Sequence, residues 1–339
     1  MTPVPQGDDR YGVIIHTTGR DAQRHFLDAL RTEWFIDGSS GVNDIPSGHK
    51  KLLYFPFAVV PSAQEIQTIV AGSPGAVWYI LGEPNRYDQQ DTRYNATSVV
   101  EPLHDFYEAI KAADPTAKIT SPSILNWDFT CIGCTGYQQG QVWLKAFISG
   151  YNSRYGQNPP IDIWAIDAYP IDWNNTPNSG SHASTVISQL EGMRQYLDTI
   201  PQYQTTPIWI TEIAVHWGYD SWEYVHKSTG ASCSGAQVSA GECRIAVVGQ
   251  YHPDKLSDYL TNVLDWLDDQ GNAQRLKIDK WFFFITYSDV ANSEDYAGIT
   301  FFDGRSSGAV LNCLGDTYKA RVLSQSKVKC DASGNTVSQ

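Results

Sequence analysis

The chain is short of cations. Its 339 residues include 24 Lys or Arg against 37 Asp or Glu, a formal net charge of −13. So acidic a surface repels phosphate backbones, and nucleic acid is not an expected partner. No apolar run approaches the roughly 18 residues of a membrane-spanning helix, so no membrane partner is expected. The start, Met1-Thr2-Pro3-Val4-Pro5, lacks the basic and apolar segments of a signal peptide. It reads either as a cytoplasmic protein or as a mature secreted form carrying an added Met1. The metal signatures HExxH and DxDxDG are absent and the eight His are scattered, so neither metal nor cofactor is expected. His16-Thr17-Thr18-Gly19-Arg20, after the first strand-like run, is not the glycine-rich phosphate turn of a dinucleotide fold. There is no internal repeat and no low-complexity segment.

Apolar and aromatic residues are plentiful. Hydrophobic residues make up 42 % and aromatics 12 %, with 11 Trp and 19 Tyr. Flat aromatic faces suit pyranose rings, and a large barrel core also consumes aromatics, so both uses are expected. Six cysteines fall into three local pairs, Cys131/Cys134, Cys233/Cys243 and Cys313/Cys330, each in loop-like sequence. Six allow many pairings, of which the local one is the most economical. The CxxC at Cys131 lacks the helix start of a redox motif and the second CxxC of a zinc site, so a loop disulfide is expected. Disulfides favour an extracellular location. Asn95-Ala96-Thr97 and Asn174-Asn175-Thr176 are glycosylation sequons, relevant in a eukaryotic secretory host.

Strand-like and helix-like patterns alternate along the chain. Strands are expected at 11–16, 34–37, 51–58, 76–81, 118–124, 161–169, 207–213 and 278–287. Helices are expected at 21–31, 63–70, 97–113, 141–155, 183–199, 254–269 and 316–325, with Asp21 and Ser62 as N-caps. Eight strands interleaved with seven helices imply an α/β fold, a single-domain (β/α)8 TIM barrel over 11–325. Residues 1–10 and 326–339 read as poorly ordered tails. The long connections follow strands five to eight. All leave the C-terminal face of the barrel, where sites of this fold lie.

The stretch Ala76–Asn85, AVWYILGEPN, organises the rest. Its apolar run reads as a strand buried on both faces, and it stops at a carboxylate, Glu83, bracketed by Gly82 and Pro84. Pro207–Ile213 has the same form, with Glu212 near its end. Two strand-end carboxylates facing across a barrel mouth are what a retaining glycosidase needs, about 5–5.5 Å apart.

The GEPN after strand four and the ITE of strand seven resemble the clan A retaining glycoside hydrolases. Within the clan, VWYILGEPN, IKAADPTAKI and IDIWAIDAYP look like the bacterial and fungal "glycosyl hydrolase catalytic core" group, which includes β-1,3-glucanases. The resemblance covers about residues 11–325. It implies Glu83 as general acid/base, Glu212 as nucleophile, and a β-linked polysaccharide or oligosaccharide, β-glucan foremost, as substrate. One departure stands out. The clan usually places Asn before the acid/base, where it holds the sugar 2-hydroxyl, and this chain has Gly82. Asn85 is a candidate substitute, or else a turn residue.

Other rim positions are candidates by strand position. Tyr169 ends strand six and can reach Glu212, or it packs in the core. Tyr287 stands where the family has a Trp floor, or it too packs. His16 and Asp37 end strands one and two and would bind sugar hydroxyls, unless satisfied locally. Trp127, Trp173, Trp217 and Trp222 lie in top-face loops as sugar platforms or loop packing. A monomer is expected. Two other readings remain: a non-catalytic carbohydrate-binding barrel, motivated by Gly82 and Tyr287, and a metal-dependent amidohydrolase barrel, disfavoured by the lack of paired His motifs.

Overall fold

The structure, a computed structural model, describes residues 7–15, 19–56, 59–86, 95–128, 138–171, 179–215, 222–247, 253–287 and 300–339. The first strand, β1 (Tyr11–Ile14), is buried at every position. Helix α1 (Arg20–Leu30) follows, burying Phe26, Leu27 and Leu30 on one face. Its N-cap is Gly19, and Asp21 sits in the first turn instead, where a negative charge still complements the helix dipole. The chain then enters β2 (Trp34–Ile36) and passes to β3 (Lys50–Phe55). No helix lies at 37–49 between these two strands, where none was among the expected helices. Gly, Ser, Asn and Pro crowd that stretch and favour turns over helix.

Helix α2 (Ala63–Gly72) begins at Ser62, whose hydroxyl bonds the Glu65 N–H while the Glu65 carboxylate bonds back to Ser62. Then come β4 (Val77–Ile80), α3 (Val100–Ala113), β5 (Lys118–Ile119) and β6 (Ile124–Leu125). These are followed by α4 (Gly140–Tyr155), β7 (Trp164–Ala168), α5 (Ser179–Leu197) and β8 (Ile208–Ile213). An excursion not foreseen in the sequence leaves β8: β9 (Trp222–His226), the short α6 (Gly235–Ser239) and β10 (Cys243–Val247). The barrel resumes with α7 (Pro253–Asp268), α8 (Gln270–Leu276), β11 (Ile278–Phe283) and α9 (Cys313–Val322).

All pairings in the main sheet are parallel, in the order β5-β4-β3-β2-β1-β11-β8-β7-β6. The two ends of that order are halves of one stave. β5 pairs with β4 and β6 with β7, and between them Thr120 bridges Ile163 while Ser123 bridges Gly82. Pro122 interrupts the stave, because it has no N–H for the ladder. Eight staves therefore close into a single-domain (β/α)8-type barrel. Much of the Trp content goes into its core: Trp78, Trp143, Trp164 and Trp281 are all fully buried. No helix among the described residues is long and apolar enough to cross a membrane.

Residues 326–339, expected as a tail, instead carry an antiparallel hairpin of β12 (Val328–Cys330) and β13 (Thr336–Ser338). It is tied down by the Cys313–Cys330 disulfide and by a 3.0 Å bond from the Cys330 N–H to Ser257 Oγ. Cys233–Cys243 closes the β9–β10 excursion. Cys131 and Cys134 lie outside the described residues.

Candidate active site

The C-terminal ends of β4, β7 and β8 converge on a cavity of about 200 Å³ whose walls include Tyr54, Tyr79, Glu83, Asp167, Glu212 and Phe284. Local backbone irregularity sets each acidic group. Along the β7–β8 ladder Ile166 faces Ile210, but Asp167 faces Glu212, so β8 carries one extra residue at Thr211. The β11–β8 ladder slips at the same place. A bulge of this kind re-aims side chains that regular alternation would send to opposite faces. Here it lets Thr211 and Glu212 both address Asp167: Thr211 Oγ1 donates to Asp167 Oδ1 at 2.6 Å.

Glu83 follows β4 in a left-handed backbone conformation, φ 48°, and Leu81 does the same at φ 54°. Non-glycine residues there are uncommon and costly, and such strain clusters at functional sites. Two bonds hold the turn: Glu83 N–H to the Ser123 carbonyl at 2.7 Å and Arg86 N–H to the Glu83 carbonyl at 3.0 Å. Between the strained residues Gly82 is required by space. A Cβ there would meet the Tyr54 hydroxyl at 3.1 Å and the Tyr79 hydroxyl at 3.2 Å. Two phenols thus approach the backbone where the clan's usual Asn would stand. The Gly82 N–H donates to the Tyr54 hydroxyl, and Tyr79 bonds the Ser123 side chain. Burial raises both phenols, so both stay protonated.

The carboxylates of Glu83, Asp167 and Glu212 bring oxygens within 4.8 Å of one another. Among the described residues, no other group of three acidic, His or Cys side chains is close enough to hold an ion. Arg86 Nη1 already engages Glu83 Oε2 at 2.7 Å, with both side chains largely buried. For Glu212, burial, then the charges of Asp167 and Glu83, push the carboxyl well above the usual range. One group opposes this. The Tyr169 hydroxyl donates to Glu212 Oε2 at 2.6 Å. Tyr169 is itself clamped through its backbone by Asn126, whose side chain takes the Tyr169 N–H and gives to the Tyr169 carbonyl, both at 2.9 Å. Asp167 is fully buried and is raised by burial first and by Glu83 second.

The remaining candidates fall elsewhere. The amide of Asn85 donates to the Leu125 and Gln138 carbonyls and accepts from the Leu125 N–H, so it pins the post-β4 turn to the loop after β6. Asp37 is held by Lys51, Ser39 and Gln23, a locally satisfied group. Trp127 is only 5 % exposed and packs against Gly192 and Tyr196, so it is loop packing and offers no open face. Tyr287 is half-buried against the core. His16, Trp173 and Trp217 lie outside the described residues, as does the side chain of Trp222.

Asp167, Tyr54, Tyr79, Asn126 and Arg86 were missed from the sequence. For Asp167 the signal was there: an acid one pleat from the end of the apolar run IDIWAIDAY.

A (β/α)8 barrel with glutamates after β4 and on β8, their oxygens this close, is the architecture of a barrel glycosidase. The profile of the family described as "Glycosyl hydrolase catalytic core" matches residues 64–318, and the chain belongs to that family of glycoside hydrolases. No curated protein matches the chain. Solved structures that share its fold include three of note. One is a GH128 (subgroup II) endo-β-1,3-glucanase from Pseudomonas viridiflava, 17 % identical, covering 94 % of this chain and 99 % of that one at a TM-score of 0.58. Another is a GH128 (subgroup I) endo-β-1,3-glucanase from Amycolatopsis mediterranei in complex with laminaritriose, at 16 % identity, 92 % and 99 % coverage and a TM-score of 0.55. The third is a GH128 (subgroup VII) oligosaccharide-binding protein from Cryptococcus neoformans, at 14 % identity, 94 % and 95 % coverage and a TM-score of 0.51.

Proposed function

We propose that this protein is a retaining β-1,3-glucan hydrolase with Glu83 as general acid/base and Glu212 as nucleophile. The carrying observation is the separation of the two carboxylates, oxygens within 4.8 Å. Retaining enzymes hold the pair about 5–5.5 Å apart, whereas inverting enzymes need about 6.5–9.5 Å to admit a water. The β-1,3-glucan assignment is supported by what the Pseudomonas and Amycolatopsis relatives are named for.

In the first step Glu212 Oε1 bonds the anomeric carbon as the glycosidic C–O bond breaks, and Glu83 gives its proton to the departing oxygen. The products are a glycosyl ester on Glu212 and a free sugar hydroxyl. In the second step Glu83, now a carboxylate, takes a proton from water. The water oxygen bonds the anomeric carbon, the ester C–O bond breaks, and both glutamates return to their starting states. Tyr169 on Oε2 leaves Oε1 to face the sugar, and Arg86 steadies Glu83 once it is ionised. The catalytic unit spans about residues 11–325. The disulfides favour an extracellular enzyme, which we take to act as a monomer on a carbohydrate substrate, with neither membrane nor nucleic acid as partner.

The test is release of reducing ends from β-1,3-glucan, β-1,4-glucan, mannan, xylan and galactan by the wild type and Glu212→Gln. Turnover of β-1,3-glucan that the variant loses is expected. Binding of laminari-oligosaccharides without any turnover would replace this reading with a sugar-binding barrel.

A further inference from the structure

Two carboxylates suffice for double displacement, yet this site holds three. Asp167 stands beside Glu212 in the β7–β8 ladder, and both reach the same cavity. Its two oxygens differ. Oδ1 accepts from Ser123 Oγ at 2.8 Å and from Thr211 Oγ1 at 2.6 Å. Oδ2 is buried and has no hydrogen-bond partner. A buried carboxylate oxygen without a donor is costly, and a protonated oxygen that needs an acceptor is not. The acceptors are at hand: Glu83 and Glu212 oxygens lie within 4.8 Å.

Charge points the same way. The groups facing Asp167 are Glu212 on β8, Glu83 and Arg86 after β4, Tyr54 on β3, Tyr79 on β4 and Tyr169 after β7. Three carboxylates there share one guanidinium. Like charges this close do not all ionise, and the proton settles on the group that loses most hydration. Asp167 is fully buried, whereas Glu83 and Glu212 are partly exposed.

We infer that Asp167 is a positioning residue of the reaction: as a neutral carboxylic acid it donates its Oδ2–H to Glu212 and so holds the nucleophile ionised and aimed. This rests on the glycosidase reading above. It also removes a conflict in the site. An ionised Asp167 would oppose ionisation of Glu212, while a neutral one adds a second donor beside Tyr169. Thr211 and Ser123 fix Oδ1 and so direct Oδ2 into the cavity.

The experiment compares wild type, Asp167→Asn and Asp167→Ala by pH–rate profiles on β-1,3-glucan. Carboxyl carbon NMR titration of the wild type and Asp167→Asn runs alongside. Asn keeps an acceptor at Oδ1 and a donor where the acid proton sits. It is expected to retain kcat within about tenfold of wild type, with the basic limb unmoved. Asp167→Ala is expected to lose about 10- to 100-fold in kcat, the range for a bond to a charged group, with little change in KM. The NMR is expected to show one aspartic acid, absent from Asp167→Asn, that stays protonated well above the pH at which ordinary aspartates ionise.

A basic limb that falls by about one unit in Asp167→Asn would overturn the inference, because removing a negative charge eases ionisation of the proton donor. So would full activity in Asp167→Ala, or an Asp167 signal that titrates as an ordinary carboxylate. Since the NMR needs no turnover, it decides the protonation even if Asp167→Ala does not fold. If the wild type cleaves none of the five polysaccharides, the reading on which this rests fails by itself, and the titration still judges Asp167.

Discussion

Replacing Tyr169 by Phe removes one oxygen from the site and little else. That oxygen donates to Glu212 Oε2 at 2.6 Å, the length of a charge-assisted bond. The ring stays in place, because Asn126 holds the Tyr169 backbone from both sides and Phe284 meets the ring edge-on at 6.4 Å. A buried bond to a charged group is worth about 1.5–3 kcal/mol. At about 1.4 kcal/mol per pKa unit, its loss raises the Glu212 carboxyl by about one to two units. The direction follows from the bond's partner: it favours the ionised form, so removing it makes Glu212 harder to ionise. The acid limb of kcat/KM reports ionisation of the nucleophile in the free enzyme. That limb is therefore expected to move to higher pH by about one to two units in Tyr169→Phe, with the basic limb nearly fixed. Below the shifted limb, activity falls about 10- to 100-fold, and on the plateau it changes far less. Profiles on a soluble β-1,3-glucan, with melting curves to confirm folding, make the measurement. An acid limb that stays within about 0.3 unit would refute the claim that this hydroxyl stabilises an ionised nucleophile.

Glu83→Gln is expected to lower kcat by about 10²–10⁴ on glucan and much less on an aryl glycoside, whose leaving group needs no proton. A comparison of the two substrates checks it. Trp127→Ala is expected to cost about 3–5 kcal/mol in denaturant unfolding, as for a buried aromatic, while KM of the surviving folded enzyme stays near wild type. Weaker glucan binding with unchanged stability would return Trp127 to the list of sugar contacts. Removing Cys313–Cys330, which spans 17 positions, by a Cys313→Ser/Cys330→Ser double change is expected to destabilise by about 3 kcal/mol. Calorimetry of the oxidised wild type and the double variant reads that difference.

The barrel was legible because its strands are apolar enough to stop visibly. VWYI and IWITEI lie within two of the expected strand stretches, and each leads to the glutamate that the pattern singled out. What escaped had specific causes. Asp167 was hidden because an acid inside an apolar strand looks like an ordinary strand end until a bulge in the neighbouring strand brings Glu212 and Thr211 beside it. The role of Gly82 is a matter of distance to Tyr54 and Tyr79, which come from two strands and have no signature at position 82. Trp127 misled because a loop Trp carries no mark of what will cover it, here Gly192 and Tyr196 of α5. The helix-free passage from β2 to β3 did not escape: no helix was expected there, and turn residues crowd 38–48. The C-terminal hairpin was not readable although its anchoring Cys313–Cys330 pair was expected, since strands of three residues each are too short to show a pattern.

The account centres on double displacement at a close carboxylate pair, and the stereochemistry of the first product tests that most directly. Proton NMR of a β-1,3-glucan digest, read within the first turnovers before mutarotation, shows which anomer is released. The β-anomer first, relaxing later to the equilibrium mixture, is the expected result. The α-anomer first would mean that water attacks directly and that Glu212 is a base, which would contradict the account.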